Sequence, residues 1–148
     1  MRMELDNFMP YQLVLLAESV SQSLAAVYRD RFSLSRDEWR ILAALAGQDQ
    51  AKTTTIIERT ALDKMRVSRA VASMLEAGLL HKTPDPEDRR NTVLTLLPAG
   101  KALYAKIVPM ALARESFLLE TLSAEDQAAF KRALKALQER ADQLVRQG

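Results

Sequence analysis

The stretch from Lys64 to Asn91 constrains this chain more than the rest of its residues together. It opens with KMRVSRAVASMLEAG, whose composition and closing glycine predict a helix, and passes at once into LLHKT, which reads as a strand. A charged tip, DPEDRRN, then leads to a second strand-like run, TVLTLL. A helix followed by a basic-tipped hairpin is the order in which one small module engages two neighbouring grooves of a duplex. In the predicted helix, Val67, Val71, Met74 and Leu75 fall on one side, and Met65, Arg66, Arg69, Ser73 and Glu76 on the other. Lys64, Arg66, Ser68 and Arg69 lie in its first two turns, where side chains of an inserted helix reach base edges and phosphates. About 14 residues at roughly 1.5 Å each make a rod near 20 Å long, which a major groove about 12 Å wide accepts. Taken alone, the same helix would pass for an ordinary surface helix with scattered charges.

The hairpin removes that ambiguity. Leu79 to Thr83 and Thr92 to Leu97 have strand-like composition, and Pro84 and Pro86 stiffen a turn whose far side carries Asp88, Arg89 and Arg90. An arginine at an exposed tip suits a narrow minor groove, because its planar, weakly hydrated cation enters that negative potential with less desolvation cost than lysine. Asp88 makes no sense as a phosphate ligand. Its expected task is to hold Arg90 extended by a charge-assisted hydrogen bond, since residues two apart on an extended chain share a side.

Charge supports this reading only once it is located. The formal net charge of the 148 residues is +2. Between Lys52 and Arg90 the chain carries eight basic residues (Lys52, Arg59, Lys64, Arg66, Arg69, Lys82, Arg89, Arg90) and six acids (Glu58, Asp63, Glu76, Asp85, Glu87, Asp88), a balance of +2, so the remainder sums to zero. The absence of cysteine removes disulfides and thiolate metal sites, leaving His81 as a lone imidazole beside Lys82. Asp85, Glu87 and Asp88 share one turn with two arginines and read as solvated tip charges rather than a metal or acid/base site. There is no phosphate-cradling glycine loop or nucleophile motif, so no catalytic residue, metal or cofactor is expected. No apolar run approaches the roughly 20 residues that span a bilayer, and MRMELDNF lacks the apolar core of an export signal, so the expected location is the cytoplasm.

Helices flank the window. Phe8, Leu13, Leu16, Val20, Leu24 and Val27 recur at helical spacing and predict a long first helix over residues 8–31. Ser35 and Glu38 have capping-box spacing ahead of the Trp39, Leu42, Leu45 stripe, and Gly47 is a natural stop. Gln48 to Lys52 reads as a polar loop, Thr53 as the cap of a short third helix ending at Thr60, and Asp63 as the cap of the fourth. Pro98 opens a helix toward Leu122, and Ser123 with Asp126 starts a last one whose seam is Phe130, Leu134, Leu137 and Leu144. These outer helices offer more apolar surface than a small winged helix can cover, and a homodimer sharing them would bury it.

TTTIIERTALDKMRVSRAVASMLEAGLL resembles the helix-turn-helix of the MarR family of bacterial transcriptional regulators, and DPEDRRNTVLTLLPAG resembles its wing and return strand. The Asp88, Arg90 pair matches the wing's aspartate-x-arginine signature, the more specific element. The resemblance implies a mainly α fold with a small β-hairpin wing, in one domain over residues 1–148. Residues 34–97 would form the winged helix-turn-helix, and residues 8–31 and 98–146 the helical dimerisation arms. It further implies a homodimeric repressor of double-stranded DNA, contacted by Lys64, Arg66, Ser68, Arg69, Arg89 and Arg90, with Asp88 supporting the wing. A small phenolic or aromatic carboxylate effector would bind between the arms and the winged helix, where Tyr11, Tyr28, Trp39 and Arg40 are the nearest candidates. Trp39 and Tyr11 are more often core fillers, and Arg40 is more often a surface ion-pair residue. The chain departs from the family pattern at Leu97, where a hydroxyl residue often caps the next helix, and at Ala61, where glycine is common. Alanine there predicts a turn without positive φ. A different class of function, a winged helix that docks another protein and binds no DNA, fits the same helices and strands.

Overall fold

The computed structural model describes residues Met1 to Gly148 and divides into two compact units, Met1–Ala111 and Leu112–Gly148. In the first unit, helix α1 spans Met9–Phe32, with Pro10 in its first turn where a missing amide costs nothing. It stops at Ser33, which turns left-handed (φ 56°) while the Ser33 and Leu34 amides bond to the carbonyls of Arg29 and Tyr28. Only its C-terminal part is covered: Ala25, Val27 and Tyr28 are buried, whereas Leu13, Val14, Leu15 and Leu16 are exposed. Helix α2, Arg36–Ala46, starts at the predicted capping box, Ser35 accepting from the Glu38 amide and Glu38 from the Ser35 amide, and buries Ile41, Leu42 and Leu45. Gly47 caps it in right-handed conformation, and the left-handed reversal falls instead on Asp49 (φ 62°).

The predicted polar loop after this helix is in part a strand. Gln50–Lys52, β1, pairs antiparallel with β3, Thr92–Leu96, which also pairs with β2, Leu80–Pro84, so the hairpin is two-thirds of a sheet ordered β1-β3-β2. Three residues are too few to show a period of two, and Ala51, opposite Leu94, is the single inward side chain of β1. Pro84 ends edge strand β2 opposite Thr92, where a missing amide breaks no central ladder. Leu80, Leu94 and Leu96 turn into the core and meet the buried residues of α2 and α4.

Helix α3, Thr53–Thr60, is capped by Lys52 without a side-chain bond, not by Thr53, whose hydroxyl instead donates to the Thr92 carbonyl at 3.1 Å. The turn after it reverses a second expectation: Ala61 has φ 57°, fully left-handed. The chain must double back there to bury Leu62 (2% exposed), and the Thr60 hydroxyl braces the turn by donating to the Ile56 carbonyl at 2.6 Å and accepting from the Leu62 amide. Asp63 caps α4, Lys64–Glu76, by accepting from the Arg66 amide at 2.8 Å. Val67, Ala70, Val71 and Met74 form its buried face, with Leu75 at the margin. Gly78 (φ 73°) ends the helix and turns the chain into β2.

Helix α5, Pro98–Leu119, begins on this sheet and continues into the second unit. Gly100 sits so close to β2 and β3 that a Cβ would collide with the Leu79 carbonyl and lie 2.6 Å from Leu96 Cδ1. In the second unit, the α5 end and α6, Ala124–Gln147, are joined by a turn in which Gln127 donates to the carbonyls of Leu119 and Leu122. Ser123 caps α6 as predicted, accepting from Asp126. The predicted seam residues Phe130, Leu134, Leu137 and Leu144 are 36–64% exposed, and α6 buries no residue.

Candidate nucleic-acid interface

Packing of α3, α4 and β3 leaves a groove between the exposed flank of α4 and the wing. Ile57, Val67, Val71, Leu75 and Leu94 form its apolar floor, and Thr53, Thr54, Lys64 and Ser68 line it from the helices. Lys82, Arg90 and Asn91 line it from the hairpin. Three of these side chains are cationic and none is a carboxylate, so the weak overall charge of the chain conceals a locally basic groove.

The structure sorts the predicted contact residues. Lys64 and Ser68, on the first two turns of α4, are exposed and share the groove with Arg90. Arg69 is exposed on α4 outside the groove, and Arg89 is exposed on the wing. Arg66 is engaged elsewhere: its Nε and Nη2 donate to the two Asp37 carboxylate oxygens at 3.0 and 2.6 Å, a bidentate bond across to α2. That hydrogen bonding, reinforced by the Asp37 charge, raises Arg66 above its ordinary value. A second tie, Ser73 Oγ to Glu38 Oε2 at 3.2 Å, runs between the same two helices.

Asp88 and Arg90 meet, though not as neighbours on an extended strand. Asp88 opens a tight turn closed by the Asn91 amide on its carbonyl at 2.9 Å, and its Oδ1 accepts from both the Arg90 amide (3.1 Å) and Arg90 Nε (3.3 Å). The Arg90 side chain remains 92% exposed.

Asp85 is not the solvated tip charge expected from its surroundings in sequence. Its side chain is 2% exposed, with Oδ1 accepting from the Glu87 amide at 3.0 Å and Oδ2 3.3 Å from Lys52 Nζ. The Glu87 amide bond, with help from Lys52, holds the Asp85 carboxyl below its usual range against the opposing effect of burial. Hydrogen bonding to Asp85 and its charge, with Glu87 at 3.6 Å, raise Lys52. No local sequence signal marks this pair, because it depends on β1, which the sequence did not reveal.

The predicted effector residues divide as well. Tyr28 is buried and stacks on Trp39 (centroids 5.8 Å, interplanar angle 12°), which stacks in turn on Tyr104 of α5 (6.3 Å, 21°). Tyr104 escaped sequence reasoning, since nothing in its own helix signals a ring arriving from α2. Trp39 and Arg40 line an open cleft with Arg59 and Thr60, and Arg59 donates to the Ala44 carbonyl at 3.2 Å. Tyr11, half-buried near the start of α1, joins neither the stack nor the cleft.

A capped helix pair joined by a tight turn, a three-stranded sheet and a basic-tipped hairpin beside the second helix define a winged helix-turn-helix protein. Comparison with known proteins places the winged helix-turn-helix part: residues 32–91 match the MarR family, to which this segment of the chain is similar. The chain is 23% identical over 104 residues to the transcriptional regulator HosA of Escherichia coli O111:H-, covering 70% of this chain and 77% of HosA. A MarR/EmrR family transcriptional regulator from Acinetobacter sp. ADP1 superposes with a TM-score of 0.85 at 27% identity, over 95% of this chain and 99% of that one. Sco3205 of Streptomyces coelicolor, a MarR family regulator solved in complex with DNA, shares the fold with a TM-score of 0.83 at 15% identity, over 94% and 90% of the two chains. No helix is long and apolar enough to cross a membrane.

Proposed function

We propose that this chain acts as a homodimeric, sequence-specific DNA-binding repressor that a small aromatic anion releases from its operator. The observation that carries the reading is the convergence of Lys64 and Ser68 with Lys82 and Arg90 on one groove free of carboxylates. In this reading α4 enters the major groove, with Lys64, Ser68 and Arg69 reaching bases and phosphates, while Arg89 and Arg90 reach the adjacent minor groove. Sco3205, a protein of the same fold, was solved in complex with DNA, which supports DNA as the partner.

Dimerisation is supported by the exposed apolar residues at both ends of the chain, Leu5, Phe8, Leu13 and Leu16 in one unit and Phe130, Leu134 and Leu137 in the other. Two copies joined through these arms would present two recognition helices to successive turns of a duplex, about 34 Å apart. Release by an aromatic anion is supported by Trp39, which lines a cleft beside Arg40 and Arg59 and also stacks on Tyr28 and Tyr104. The test is fluorescence anisotropy with the chain's own upstream region. Affinity should fall steeply as salt rises because phosphate contacts release counterions, and Arg90→Ala should weaken binding to every sequence. Affinity that ignores both salt and the Arg90 substitution would instead favour a protein-docking role.

A further inference from the structure

The Lys52, Asp85 pair lies outside the groove, and its placement gives it a task there. Lys52 sits where β1 passes into α3, opposite Val93 of the central strand, while Asp85 follows the last residue of β2, where the hairpin leaves the sheet. The ion pair at 3.3 Å therefore ties the root of the wing to the start of the helix-turn-helix. Around it, the Asp85 amide donates to the Asn91 carbonyl at 3.1 Å, closing the neck of the wing. Asn91 Nδ2 reaches Thr54 Oγ1 at 3.4 Å, and Thr53 donates to the Thr92 carbonyl at 3.1 Å, both anchoring the returning arm to α3. The Glu87 amide serves Oδ1, while the buried Oδ2 faces Lys52 Nζ at 3.3 Å, so Lys52 is the cation that compensates that end of the carboxylate. A buried carboxylate that loses its cation must find water or another donor, which here means moving the neck. Arg90 lies one residue before the closing residue Asn91, so any such movement carries the guanidinium with it.

We propose that Lys52 and Asp85 are positioning residues for DNA binding, a latch that fixes the wing at the angle from which Arg90 reaches the duplex. The proposal rests on the DNA-binding reading above. It also makes a prediction opposite in sign to simple electrostatics. Asp85→Asn removes a negative charge near a polyanion, and long-range Coulomb attraction alone would then tighten binding. The latch requires weakening, about fivefold or more, a size in keeping with coupling between groups that share one network.

The experiment is a double-mutant cycle on the full chain: anisotropy titrations of the upstream duplex with wild type, D85N, K52M, R90A, D85N/R90A and K52M/R90A at one salt concentration. Circular dichroism and thermal melts accompany each variant. The latch predicts that D85N and K52M each weaken binding in the wild-type background and change nothing further once Arg90 is gone. Tighter or unchanged binding by D85N overturns the proposal. So does an equal loss in both backgrounds, which marks general destabilisation or, for K52M, a direct phosphate contact by Lys52. If D85N does not fold, K52M carries the test, since Lys52 is 45% exposed and its removal opens no cavity. If R90A itself binds as tightly as wild type, the DNA-binding reading of the wing fails, a result distinct from failure of the latch.

Discussion

Ala61→Gly should make this protein more stable, against the usual cost of adding glycine. Ala61 is exposed and has φ 57°, ψ 22°, in the left-handed region that an L side chain enters at a cost of about 1–2 kcal/mol. Glycine removes that cost. It also gives the unfolded chain more freedom, which opposes folding by about 0.4–1 kcal/mol. No buried contact is lost with the methyl group, so the midpoints of these two ranges leave a net gain of about 0.8 kcal/mol. For a chain of this size that is a rise of about 1–4 °C in Tm. The assay is urea unfolding with a matched thermal melt, at fixed protein concentration because association would also shift the midpoint. The urea slope should be unchanged and the midpoint higher. Because the turn already holds this conformation, α4 should stay in place and DNA affinity should not change. A lower midpoint would refute the reasoning, showing that the backbone strain at this turn is less than the entropy that alanine saves.

Gly100→Ala should have the opposite sign. Alanine is favoured over glycine in a helix by about 1 kcal/mol, but this Cβ would strike the Leu79 carbonyl and Leu96, and overpacking of that kind costs about 1–3 kcal/mol. A lower denaturation midpoint is therefore expected, and an unchanged one would mean that β2 and α5 can move apart freely. Arg66→Ala should weaken binding to all duplexes without altering base preference, because its guanidinium is spent on Asp37, whereas Arg69→Ala should alter preference; selection from a randomised duplex pool reads both. The Lys52, Asp85 pair sets a pH dependence. Asp85 is depressed in the folded state, so its stabilisation is complete above the unfolded carboxyl value of about 3.9 and is lost as pH falls through the lower folded value. Lys52 is raised, so its contribution is complete below about 10.4 and is lost as pH rises through its higher folded value. The stability difference between wild type and D85N, from urea midpoints, should thus stay level from about pH 5 to 9 and shrink below about pH 4.

Much of this fold was legible because its signals are local. The capping residues Ser35, Asp63 and Ser123 each sit beside the amide they satisfy, so the starts of α2, α4 and α6 were readable to the residue. The Asp88, Arg90 contact was legible from spacing alone, although a tight turn rather than an extended strand brings the two together. What escaped depends on partners distant in sequence. β1 is a strand only because β3 pairs with it, and its single inward alanine makes no pattern. Asp85 resembles its solvated neighbours Glu87 and Asp88 until β1 delivers Lys52 to it. Ala61 adopts a glycine-like conformation because burial of Leu62 outweighs the local preference of alanine. Tyr104 acquires its role through ring stacking between helices.

The central claim is that α4 reads the major groove while Arg90 occupies the minor groove of the same site. Dimethyl sulfate footprinting of the upstream duplex tests it directly, since the reagent attacks guanine N7 in the major groove and adenine N3 in the minor groove. Wild type should protect both, and Arg90→Ala, at saturating protein, should retain the guanine protection while losing the adenine protection. Protection of neither groove, or an adenine pattern indifferent to Arg90, would contradict the account.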